Sequence, residues 1–345
     1  MLSQEAGLLL KQLVAEGVAP WLAPADGDEL DLAVRQRTLE DSFQGALAAP
    51  GTPLSVVRAA CDALLPGYCA DGSSGQVSVP VDARLARDAE ALVDAGRMLH
   101  AAVRRPNALV RLPMTAASRT AMAELLSLGI GVHASLVLTG ERYGQVLDAY
   151  VQGMERALAA GVRLGDVPVV VSFPVGLFDA EADARLTRLG APPDHPARAT
   201  AGPAMARRMF RLREQRLAGG WWRVLRADGA LPPRLLWTTG GAAGVHRLVG
   251  WNTAHALTPA EVEEAARLGG LHGDTLLGEH TRADAALTTL EDLGVTPHEV
   301  ATVLETRQLT RLQHDWHLRT GPAPAPDPDH GPGSEPPSGP GGERT

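Results

Sequence analysis

Arg111 stands in an apolar run, ALVRLP, that closes at Pro113. A guanidinium placed there can stabilise an oxyanion or hold a carboxylate in a bidentate fork. It can equally be a buried arginine paired to a neighbouring carboxylate, because a charge on a core strand is expensive unless paired. His133, in GVHASLVL, can shuttle a proton near neutral pH. It also reads as a hydrogen-bonded core histidine, since no carboxylate nearby in sequence would orient it. Ser135, two residues on, supplies a hydroxyl beside it, so Arg111, His133 and Ser135 form the candidate catalytic set. The Gly-rich run from Thr238 to Gly244 can cradle an anion on backbone N–H groups. It lacks the lysine of a P-loop and reads as well as a surface turn.

Other chemistry is excluded by what is missing. The only lysine is Lys11, so 31 of the 32 Lys and Arg residues are arginine. Chemistry that needs a lysine amine in the body of the fold is therefore unavailable. Cys61 and Cys69 make neither a disulfide framework nor a zinc site. His255, His272 and His280 show no paired-His spacing with a carboxylate, so no metal is expected. No cofactor is expected either.

These residues must be positioned by a chain of 345 residues, 45% apolar and 21% charged, which is enough to bury a sizeable core. A net charge of −8 argues against nucleic acid or an anionic membrane as partner. The free thiols fit a reducing compartment. The early apolar run from Gly7 to Leu10 is too short for a secretory signal, and none spans the roughly 18 to 20 residues of a bilayer-crossing helix. A cytoplasmic protein is expected. Residues 321–345 hold eight Pro and six Gly without a large apolar residue, which predicts a disordered tail following a single unit over 1–320.

Within that unit, short apolar runs alternate with amphipathic stretches. Strands are expected over Ala19 to Ala23, Gln76 to Val81, Ala108 to Leu112, Gly131 to Leu138, Pro168 to Val175, Arg234 to Thr238 and around Val249. Helices are expected over Arg84 to Ala102, Glu141 to Ala160 and Pro297 to His317, among others. The alternation predicts an α/β fold, a (β/α)8 TIM barrel with additional helices. No G-x-G-x-x-G follows the first strand, which disfavours a dinucleotide fold. In such a barrel chemistry sits at the carboxyl ends of the strands.

The segments QVSVPVDARLARDAEAL, PNALVRLPMT, GIGVHASLVLTGERYGQVLDAY, SFPVGLFDAEADARL and LLWTTGG, with GDTLLG and the closing helices, resemble the transaldolase family in order from about Ala19 to His317. The resemblance implies a dihydroxyacetone transfer through a lysine Schiff base, the reaction by which the pentose phosphate pathway exchanges carbon units between sugar phosphates. The position matching that lysine is Arg111. A guanidinium stays protonated with delocalised lone pairs and forms no iminium. The first-strand aspartate is matched by Ala23 and the third-strand glutamate by Pro80. The second-strand asparagine maps onto Gln36 in VRQRT, and the fifth-strand asparagine onto His133. The sixth-strand serine–arginine pair becomes Gly176 and Leu177, the seventh-strand serine maps to Thr239, and the following cation to Ala243, while Ser172 matches the family. The resemblance thus implies Gln36, Ser172 and Thr239 as candidate ligand contacts.

Three functions follow. The simultaneous losses favour a pseudoenzyme, a barrel that binds a small, anionic ligand or a protein partner. The polar groups surviving at strand ends suit a repurposed enzyme of a specialised biosynthetic pathway, using Arg111 and His133. The fold alone would suit an active transaldolase, but fold does not imply function.

Overall fold

The computed structural model describes residues 2–321. The described residues form eight strands: β1 (Val18–Leu22), β2 (Gly45–Leu47), β3 (Gln76–Pro80), β4 (Ala108–Pro113), β5 (Val132–Ser135), β6 (Val169–Pro174), β7 (Arg234–Thr238) and β8 (Thr253–Leu257). Each pairs in parallel with the next, and β8 closes on β1. With fourteen α-helices among the described residues, this is the (β/α)8 barrel that the strand–helix alternation predicts. The tail expected over 321–345 lies, apart from Gly321, outside the described residues.

The strands are short, apolar and almost wholly buried because helices cover their outer faces. Their register fixes which residues point inward. Ala19, Trp21, Leu109, Val170, Leu236, Ala254 and Ala256 pack together as the barrel's own interior cluster. Arg111 pairs in register with Pro80 on one side and His133 on the other, so all three share that inward face. Two larger clusters lie between sheet and helices.

Local sequence sets the helix starts. Thr139 caps the helix Gly140–Ala159 by accepting from Arg142 N–H. Thr258 and Glu261 form a reciprocal capping box ahead of Pro259. Pro297 opens the long helix Pro297–Thr320, where a missing N–H costs nothing.

Three expectations are corrected. The strand expected around Val249 is β8, Thr253–Leu257; Val249 instead precedes it, its N–H donating to Thr275 Oγ1. The helix expected from Arg84 begins only at Ala89, because Asp82 first holds a 3-10 turn through Ala83–Leu85. The second strand is β2, not the VRQRT stretch; Gln36 ends the helix Gly27–Arg35 and is exposed. β2 has only three residues and no apolar run long enough to read as a strand.

Candidate active site

The inward ends of β3, β4 and β5 bring together Ser78, Arg111 and His133. Arg111 is held by one contact, Nη2 donating to the Ala48 carbonyl at 2.6 Å, and its guanidinium makes no other hydrogen bond with the described residues. It is partly exposed at the mouth. Burial lowers its pKa to about 10, and no carboxylate among the described residues offsets that. It stays cationic at neutral pH. The carboxylate partner that a buried arginine leads one to expect is not what holds it; a backbone carbonyl is.

His133 is buried, with Nδ1 2.6 Å from Ser78 Oγ. Its Nε2 has no partner among the described residues. The Trp21 ring meets it edge-on at 6.4 Å between centroids. Burial, and then the charge of Arg111, hold the imidazole pKa well below the usual histidine range. His133 is therefore neutral at physiological pH.

Ser135 is partly buried and donates to the Leu112 carbonyl at 3.0 Å, so its hydroxyl is committed to the strand edge. Ser172 is buried on the inward face of β6, in register with Leu236. Thr239 follows β7 in a left-handed conformation (φ 55°), with Oγ1 accepting from Leu177 N–H at 3.3 Å. Gln36 is not part of this constellation. The resemblance assigns it to a second strand that the chain forms elsewhere, and the true β2 leads into Ala48, Ala49 and Pro50, which offer no side-chain amide.

Two features escape sequence reading. Ser78 becomes a site residue only because β5 delivers His133 across β4 to meet it. The available signal is a lone polar residue in VSV, two before Pro80 and so on the same inward face. The second is the loop after β7: a Cβ built at Gly176 would fall on the Thr239 carbonyl oxygen. Backbone therefore occupies the space where a side chain at 176 would begin.

At the opposite end of the barrel a cavity of about 630 Å³ is lined by Gly17, Gln76, Arg234, Trp251 and Asn252, among others. It holds none of the sequence-derived site residues. Among the described residues no cluster of His, Cys, Asp and Glu is placed to hold a metal, and no helix is long and apolar enough to cross a membrane.

Comparison with known proteins bears on the family to which this barrel belongs. Residues 52–320 match the Transaldolase/Fructose-6-phosphate aldolase family. The chain is 36% identical over 295 residues to Transaldolase 1 of Streptomyces avermitilis, covering 83% of this chain and 76% of that protein. It is 35% identical over 296 residues to a transaldolase of Parafrankia sp., covering 83% and 79%. It is 33% identical over 300 residues to a transaldolase of Thermobifida fusca, covering 84% and 80%. With a closed eight-stranded barrel and a match over most of its length, the chain belongs to the transaldolase/fructose-6-phosphate aldolase family.

Proposed function

We propose that this member of the family carries out no Schiff-base transfer and serves as a ligand-binding barrel, with Arg111 as its anion anchor. The observation that carries the reading is Arg111 itself. An imine needs a neutral amine, and a guanidinium with a pKa of about 10 supplies a delocalised cation instead. Ala23 and Pro80 provide no group to move protons where the family resemblance expects carboxylates. Gly176, Leu177 and Ala243 offer no cation or hydroxyl to a sugar phosphate. The buried Cys61 and exposed Cys69 are both free thiols, which supports a reducing compartment such as the cytoplasm.

The test is borohydride reduction in the presence of fructose 6-phosphate, read by intact-mass spectrometry. The mass should be unchanged; a gain equal to a reduced dihydroxyacetone adduct would restore the transaldolase reading. A protein partner is the other occupant this reading allows, and native pull-down with the full chain tests it.

A second reading rests on the 2.6 Å contact between Ser78 and His133. There the barrel is a repurposed enzyme of a specialised biosynthetic pathway, in which Arg111 holds an oxyanion and His133 moves a proton. Unchanged turnover of any activity found, in both Arg111→Ala and His133→Ala, would exclude it.

A further inference from the structure

We propose that the mouth of the barrel binds a small monocarboxylate with an oxygen on the adjacent carbon, a 2-oxo or 2-hydroxy acid of about three carbons. Arg111 takes the carboxylate and His133 Nε2–H the adjacent oxygen. The inference rests on the reading that the barrel has given up imine chemistry, and it names the ligand that barrel would take.

Charge at the mouth favours an anion. Three other buried or half-buried arginines have an acidic side chain close by: Glu279 near Arg207, Glu214 near Arg213 and Asp71 near Arg234. Arg111 has none among the described residues. A desolvated cation left without a counter-charge is costly, and a bound anion removes that cost. The remaining N–H groups of its planar fork match the two oxygens of a carboxylate.

An orphaned nitrogen lies beside that cation's strand. Ser78 is fully buried and His133 Nδ1 is the one partner of its hydroxyl among the described residues. The tautomer that satisfies both has Ser78 O–H donating to Nδ1, which leaves the proton on Nε2. That N–H is buried and unpartnered. It needs an acceptor. Arg111 and His133 are register partners on adjacent strands, and the charge of Arg111 is felt at His133, so one small ligand can meet both.

The surroundings limit size and charge. Trp21, Leu47, Pro80 and Pro113 share the inward face with the pair, and the Trp21 ring meets His133 edge-on. A phosphate dianion would need further cations, and Leu177 and Ala243 supply none, while the Thr239 carbonyl oxygen faces the position at 176. One cation and one neutral donor suit a monoanion.

The experiment is isothermal titration of the full chain with pyruvate, propionate, dihydroxyacetone and inorganic phosphate. Pyruvate should bind; propionate, which lacks the acceptor oxygen, should bind about tenfold more weakly, and dihydroxyacetone and phosphate about a hundredfold more weakly or less. His133→Phe should bring pyruvate to the level of propionate and leave propionate unchanged. Arg111→Lys, which keeps charge but loses the fork, should weaken pyruvate about tenfold, and Arg111→Met should abolish binding. Should Arg111→Met fail to fold by circular dichroism, the lysine variant decides. Absence of pyruvate binding at millimolar concentration, phosphate binding more tightly than pyruvate, equal binding of pyruvate and propionate, or unchanged affinity in Arg111→Lys would each overturn the proposal. The two readings fail separately: a borohydride adduct with fructose 6-phosphate sinks the parent reading, whereas a missing pyruvate signal sinks only this one.

Discussion

On the proposed reading, a lysine at position 111 alone does not make a transaldolase. An Arg111→Lys chain still has Ala23 and Pro80 at the positions to which the family resemblance assigns carboxylates, and each missing acid–base group is worth about 10²- to 10⁴-fold in rate. Transaldolase activity in that variant should stay below detection in a coupled assay with fructose 6-phosphate and an aldose phosphate acceptor; measurable turnover would show that the loss is one residue deep. Ser78→Ala tests the buried pair. It strands His133 Nδ1 without its partner, so urea unfolding should report a loss of about 1 to 3 kcal/mol. Much of this scale was legible in the sequence. Arg111 and His133 stand out because a polar group interrupts an apolar run. Ser78 does not, because its role depends on a partner 55 positions away that reaches it across an intervening strand. Gln36 misled for a related reason: an amide in roughly the right place along the chain carries no information about which face, or which element, will present it.

Two elements are shaped by glycines that sequence patterns do not explain. A Cβ at Gly45 would collide with the Trp21 indole, so β2 can lie against β1 only while that position is bare. Gly45→Ala should destabilise the fold by about 1 to 3 kcal/mol through overpacking, seen as a lower melting temperature. Gly176→Ser meets backbone rather than a side chain and should also lower the melting temperature, without creating affinity for inorganic phosphate. A neutral effect on stability would mean that the loop after β7 yields easily. The longer elements were readable because periodicity and caps agree: β4, β6 and the helix Gly140–Ala159 fall close to where their sequences place them. β2 was not, since three residues cannot display a period. β8 was missed because His255 interrupts it; that side chain faces outward to the Leu248 carbonyl, a contact that only the closed barrel creates.

For the whole molecule, buried histidines set the response to acid. His255 has its pKa lowered from 6.5 to about 4, chiefly by burial, and His133 is lowered as well. Above pH 6.5 neither carries a penalty. As pH falls toward 4 the unfolded chain takes up protons that the folded chain refuses, so stability drops, by about 3 kcal/mol for His255 alone. Asp179 works in the opposite direction. Burial raises its pKa to about 6, so protonation between about 6 and 3.8 favours the folded state. Two histidines outweigh one carboxylate. The urea midpoint should therefore fall between pH 7 and pH 4, and His255→Gln should flatten that fall; a midpoint independent of pH would contradict the burial of both imidazoles. The Thr239 carbonyl lodged over Gly176 also gives the molecule a direction in time. A chain that acquired a serine there would first have to rebuild the loop, a change that on the proposed reading has no reward while position 111 is an arginine and positions 23 and 80 carry no carboxylate. Each early single step toward aldol transfer should be neutral or harmful. Directed evolution toward aldol transfer should begin by grafting the whole segment after β7, and selection that starts from position 111 should stall.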